Sequence, residues 1–123
     1  MYLIKTYLDK SPIHGIGVYA GEDVAEGTVI WSEQPGFDQI LTEQQVAAMP
    51  TRALEFMRTY AYFTGGKFHL NSDNGKFTNH DDDPNSRMND HGDVYACRVI
   101  AKGDEITADY AEFAEDWPPG LSG

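Results

Sequence analysis

Phe77-Thr78-Asn79-His80-Asp81-Asp82-Asp83-Pro84-Asn85 crowds amides, an imidazole, three carboxylates and a proline into nine residues with neither a helical nor a strand period. Such a donor set calls for a test against metal loops. On the calcium-loop template, Asp81, Asp83 and Asn85 fall at alternate ligand positions. Ser86 then stands where a glycine must turn the chain, and Gly92 where a bidentate glutamate belongs, so the template fails. His80 and Asp82 supply the His-x-Asp half of a two-histidine, one-carboxylate iron site, for which His14, His69 or His91 would have to add the second histidine. That half-match arises often by chance, and no metal site is assigned to it.

Two further stretches flank this one. Upstream, His14-Gly15-Ile16-Gly17 follows Lys10-Ser11-Pro12 and leads into a β-rich run; two glycines around one residue permit unusual dihedrals and close approach of a ligand to the backbone. It lacks the spacing of a dinucleotide fingerprint, and no helix follows. Downstream, Gly103-Asp104-Glu105-Ile106-Thr107-Ala108-Asp109-Tyr110 reads as a turn feeding a short strand that ends in a carboxylate and a phenol. Taken singly, each of these two is what an ordinary hairpin would also produce. No G-x-S-x-G elbow and no P-loop occurs.

Between these stretches, residues 2–8, 17–20, 28–32, 94–99 and 106–108 are short, rich in β-branched and aromatic residues, and bounded by Gly, Asp or Pro, which predicts short strands. The dense glycine punctuation favours hairpins over βαβ units. Residues 42–63 are the exception. Thr42 and Gln45 have the spacing of a capping box, and Val46, Met49, Ala53, Leu54, Phe56, Met57, Tyr60 and Phe63 follow a helical period. Pro50 is expected to divide this region into two short helices. Pro118, Pro119 and the closing glycines predict a loose C-terminal end.

The 123 residues are 41% hydrophobic before glycine is counted, as expected for one globular domain able to bury a core without disulfides or metal. Cys97 is the single cysteine, expected to pack within an apolar strand, and it excludes an intramolecular disulfide or a cysteine-rich zinc cluster. The opening Met-Tyr-Leu-Ile-Lys-Thr-Tyr-Leu-Asp-Lys has no basic leader, and no 18-residue apolar run occurs, so a cytoplasmic protein without membrane association is expected. The net charge of −11 disfavours direct nucleic-acid binding. Residues 81–116 hold eleven acids against three bases, a surface suited to attract a basic protein segment.

Taken together and in order, G-x-G at 15–17, N-H-x-x-x-P-N at 79–85 and G-D-E-I-T-x-D-Y at 103–110 resemble the SET-domain protein lysine methyltransferases, over residues 5–117. The likeness is to a minimal form, as found in bacteria and large viruses. It implies a mainly β, β-clip fold of small sheets across a single domain of residues 1–123, with a helical insert at about 42–63 and a C-terminal flank at about 111–123. In that fold the Asn79-His80 segment is threaded beneath a C-terminal loop as a pseudoknot. The resemblance also implies S-adenosylmethionine as methyl donor and a lysine-containing basic protein or peptide as substrate. By matched position, the backbone of His14, Gly15, Ile16 and Gly17 would hold the methionine end of the cofactor, with Asn79 bonding it through its side chain and His80 meeting the adenine through its main chain. Tyr110 matches the catalytic tyrosine and also borders the cofactor. Tyr60 is the candidate for a second active-site tyrosine, with Tyr62 as the alternative.

The chain departs from the family pattern at several points. Lys76 stands where Arg often precedes the Phe, Asp81-Asp82 replaces the usual Ser-Cys, and the zinc-binding cysteines that follow the domain in many members are absent. Phe113 and Trp117 are the aromatic residues available to cover the adenine and complete the lysine channel, a role to weigh against ordinary packing. Ala108, where many members carry Phe or Tyr, leaves room for multiple methylation. Two other functions fit the same residues: a SET-like binding module without turnover, and, with less support, an iron-dependent oxygenase using His80 and Asp82. A homodimer is compatible with the sequence.

Overall fold

Gly15, at φ +45°, turns the chain between β1 (Thr6–Lys10) and β2 (Ile16–Ala20), which pair antiparallel with Lys10 opposite Ile16. The structure is a computed structural model and describes residues 1–121. Its elements continue as β3 (Val29–Trp31), β4 (Gln39–Leu41), α1 (Glu43–Ala47), α2 (Thr51–Tyr60), β5 (Tyr62–Thr64), β6 (Lys67–Leu70), β7 (Asn79–His80), β8 (Ser86–Met88), β9 (Val94–Ala96) and β10 (Glu105–Ala108). The strands form three small sheets, in the orders β1-β2-β10-β7, β3-β9-β8 and β4-β6-β5. This is the mainly β architecture with few helices that the sequence predicts. Among the described residues, no helix is long and apolar enough to cross a membrane.

The first sheet decides where the site falls. β10 lies between β2, antiparallel with Ile106 opposite Val18, and β7, parallel with Thr107 opposite Asn79. Asn85 extends this pairing with a side chain. Its Oδ1 accepts from Thr107 N at 2.9 Å and its Nδ2 donates to the Glu105 carbonyl at 2.8 Å, so an amide group mimics a strand neighbour. Inward from the sheet, Val18, Ala20, Ile30, Ile100 and Ile106 are fully buried in the main core, each large side chain contributing about 1.5–3 kcal/mol by its removal from water. A second core gathers Val46, Met57 and Phe68 beneath the helices.

The helical insert forms as its caps dictate, then stops early. Thr42 and Gln45 make both bonds of the capping box, at 3.1 and 2.8 Å, and Pro50, in an extended conformation before α2, separates the two helices. Helix ends at Tyr60 instead of continuing to Phe63. Gly65 and Gly66 both take positive φ (+59° and +77°), the requirement of a two-residue hairpin turn, and commit Tyr62–Thr64 to pair with β6.

Other boundaries also shift. Residues 2–8 do not form one strand: Tyr2 bridges Trp31, and β1 starts only at Thr6. β9 stops at Ala96, so Cys97 lies just beyond it, half-buried, with Sγ 3.2 Å from the Pro84 carbonyl. The expected loose C-terminal end is corrected as far as Leu121; Ser122 and Gly123 lie outside the described residues. Glu115 N donates to the Phe63 carbonyl at 2.7 Å, while its carboxylate accepts from Gly65 N at 3.0 Å and Thr64 Oγ1 at 2.8 Å, bonds that hold its pKa below the ordinary glutamate value. Trp117 and Leu121 then pack on the second core.

Candidate functional site

The three sequence stretches meet at a carboxylate that the sequence reading did not single out. Ser11 Oγ donates to Glu105, lying 2.9 and 2.8 Å from its two oxygens. Asn79 Nδ2 lies 3.0 Å from Glu105 Oε2, 3.0 Å from the His14 carbonyl and 3.2 Å from the Ile16 carbonyl. Glu105 of β10 and Asn79 of β7 thereby tie the glycine turn to the centre of the sheet. His14 enters through its carbonyl and not through its ring.

Gly17 is needed here for space, since a Cβ on it would lie 2.3 Å from Glu105 Oε2 and 2.9 Å from Cδ. Gly17→Ala is expected to push Glu105 off Asn79 and lower unfolding stability by about 1–3 kcal/mol, the usual cost of overpacking, measurable by urea denaturation. Gly15 differs: no atom lies within 4 Å of its Cβ position, so its backbone is open to an incoming group.

Tyr110 sits in a 3₁₀ turn directly after β10, and the residues on either side of Asn79 grip it at both ends. Its hydroxyl donates to the Thr78 carbonyl, and its backbone N–H donates to His80 Nδ1 at 3.1 Å. An accepting Nδ1 places the imidazole proton on Nε2, which lies 2.6 Å from Asp82 Oδ1. The half of an iron site read from the sequence is therefore a histidine and an aspartate bonded to each other. His69 is similarly engaged, with Nδ1 2.6 Å from Glu33 Oε2. Among the described residues, no group of three or more His, Cys, Asp or Glu side chains could hold a metal ion. Burial raises the Tyr110 phenol above its ordinary pKa, so at neutral pH it stays a protonated donor.

Beside Tyr110 opens a cleft of about 260 Å³, lined among others by Tyr60, Tyr62, Ala108, Phe113 and Trp117. Tyr62 stacks on His69 with centroids 5.1 Å apart and meets the edge of Phe113 at 5.0 Å; Phe113 in turn meets Tyr110 at 5.7 Å. Burial, with the charges of Glu33 and Asp38, pushes the Tyr62 phenol well up. Tyr60 packs between Phe56 and Phe77, at 4.7 and 5.3 Å. Trp117 turns its edge to Phe68 at 4.7 Å, so it serves the second core as well as the cleft wall.

The candidates thus divide into two groups. Tyr60, Tyr62, Ala108, Phe113 and Trp117 line the cleft, whereas His14, Gly15, Ile16, Gly17, Asn79 and His80 form a ledge outside its lining. Tyr110 joins the two. Tyr2, Trp31 and Thr78, which also line the cleft, were not singled out in the sequence.

The SET domain family model matches residues 15–111. No curated protein matches the chain significantly by sequence. Among solved structures, a Plasmodium falciparum protein described as a candidate histone methyltransferase superposes with a TM-score of 0.61 at 25% identity, over 93% of this chain and 96% of its own. Two others, at 20% and 19% identity, are alike in fold. A humanised mutant of the Chaetomium thermophilum polycomb repressive complex 2 gives a TM-score of 0.66 over 97% of this chain and 16% of its own. The Neurospora SET domain histone lysine methyltransferase DIM-5 gives 0.62 over 95% of this chain and 56% of its own.

Proposed function

The chain belongs to the SET-domain family, and on that premise we propose that it transfers a methyl group from S-adenosylmethionine to the side-chain amine of a lysine in a basic protein segment. The observation that carries this reading is the joining of ledge and cleft by Tyr110, which is held from Thr78 and His80 on either side of Asn79. The ledge fits the methyl donor. Gly15 offers open backbone, and Asn79 Oδ1 finds no hydrogen-bond partner among the described residues, leaving an acceptor free for an ammonium group.

When bound, S-adenosylmethionine supplies a methyl group on a cationic sulfonium, which an amine lone pair can take in an in-line displacement. The chain's own contribution is orientation and exclusion of water. A lysine with pKa about 10.4 is neutral in only about one molecule per thousand near pH 7.4, so the amine must enter a place that disfavours its charged form. Removal of the amine from water between Tyr60, Tyr62 and Phe113 would act in that direction, and so would the positive charge of a bound sulfonium beside it. Tyr110, protonated and fixed at both ends, orients the amine without acting as a base. The acidic residues of 81–116 act earlier, by drawing in a basic segment.

Calorimetric titration of S-adenosylmethionine, followed by methyl-release assays on mixed basic proteins, tests the reading. Tight binding with turnover is expected. Binding without release, with Tyr110→Phe indistinguishable from the wild type, would instead identify a binding module.

Ala108 carries the proposal on methyl count. It lines the cleft two residues before Tyr110, where its methyl side chain leaves space. Ala108→Phe is expected to cut the most highly methylated product to a minor species while the monomethyl form persists, read by mass spectrometry of the substrate.

A further inference from the structure

We propose that Tyr2, which lies outside residues 15–111, is a positioning residue for Tyr110 and acts through Thr78. Tyr2 is 8% exposed and fixed at its backbone by a bridge to Trp31 and by donation of its N–H to Asp73 Oδ2 at 2.8 Å. Tyr2 is among the residues lining the cleft, and its hydroxyl lies 2.7 Å from Thr78 Oγ1. The carbonyl of the same Thr78 accepts the Tyr110 hydroxyl. Thr78 belongs to neither of its neighbouring elements: the 3₁₀ turn Asn74–Phe77 ends before it, β7 begins after it, and its N–H bonds back to Gly75 O at 3.1 Å. With its amide held on one side and its hydroxyl held by Tyr2 on the other, the direction of its carbonyl is set.

Tyr110 depends on that direction for its hydroxyl: His80 and Phe113 hold the ring, at 5.3 and 5.7 Å, whereas among the described residues the hydroxyl itself bonds only to the Thr78 carbonyl. Burial keeps the Tyr2 phenol protonated well beyond the ordinary range, so the pair with Thr78 stays a neutral hydroxyl–hydroxyl bond across working pH. The kinetic consequence rests on Tyr110 being the active-site tyrosine; the mechanical link between Tyr2 and Tyr110 does not.

The test uses the full chain labelled with tyrosine carrying ¹³C at Cζ, the Tyr110 resonance being assigned by its absence in Tyr110→Phe. In Tyr2→Phe that resonance is expected to move or broaden. kcat for methyl release should fall about five- to tenfold, as for one lost hydrogen bond, with KM for the basic substrate and S-adenosylmethionine affinity unchanged. Thr78→Val should reproduce both effects, the double variant should add nothing further, and Thr78→Ser, which keeps the hydroxyl, should recover both. Thr78→Val also serves if Tyr2→Phe fails to fold. An unmoved Tyr110 resonance, or a loss confined to melting temperature, overturns the proposal. If the wild type releases no methyl product, the proposed function fails and the resonance alone decides whether Tyr2 holds Tyr110.

Discussion

Tyr110→Phe is expected to lower methyl-release turnover by about 10²-fold or more while leaving S-adenosylmethionine affinity within about twofold of wild type. The variant keeps the ring against His80 and Phe113, at 5.3 and 5.7 Å, and keeps the backbone bond to His80 Nδ1. It loses only the hydroxyl that reaches the Thr78 carbonyl at the edge of the cleft. The ledge contacts of Asn79 are untouched, which is why affinity and turnover should separate. Calorimetry and a single-turnover assay on the same preparation read the two quantities. An equal loss of both, with the fold intact, contradicts the role given to Tyr110.

Asn79→Ala is expected to do the opposite at first, weakening S-adenosylmethionine binding about ten- to a hundredfold, the scale of a lost hydrogen bond to a charged group. Its stability should also fall, by about 0.5–1.5 kcal/mol, because the half-buried bonds from the amide to Glu105 and to the carbonyls of His14 and Ile16 are lost. Urea denaturation measures the second effect and calorimetry the first. Unchanged cofactor affinity in a folded Asn79→Ala protein would remove the ledge from the proposed site.

The sequence shows best those parts of the molecule whose cause is local. Gly15 between β-rich runs, the Thr42–Gln45 cap and Pro50 each act within a few residues, and each produces the element expected of it. The β5–β6 hairpin was within reach, because Gly65-Gly66 is a strong turn signal, but the helical period carried through Phe63 concealed it. β7 and β8 were not within reach. Two or three residues such as Asn79-His80 or Ser86-Arg87-Met88 have no period to detect, and they are strands only because β10 and β9 pair with them.

The same distinction holds for the site. A carboxylate in a short strand looks like a solvated face, so Glu105 gave no sign that it would receive both Ser11 and Asn79. Tyr2 and Thr78 stand 76 residues apart, and nothing local ties them. Asn79, His80 and Tyr110 were legible only through the composite spacing of three stretches, each of which is unremarkable alone.

The place of β10 in its sheet has one more consequence. Its two neighbours come from residues 16–20 and 79–80, whereas β10 itself spans 105–108. A nascent chain leaving the ribosome therefore holds every other part of the ledge before the strand that aligns them has been translated. Ledge and cleft would form together, late and all at once, so a stalled or prematurely terminated product is expected to lack partial methyl-donor affinity altogether.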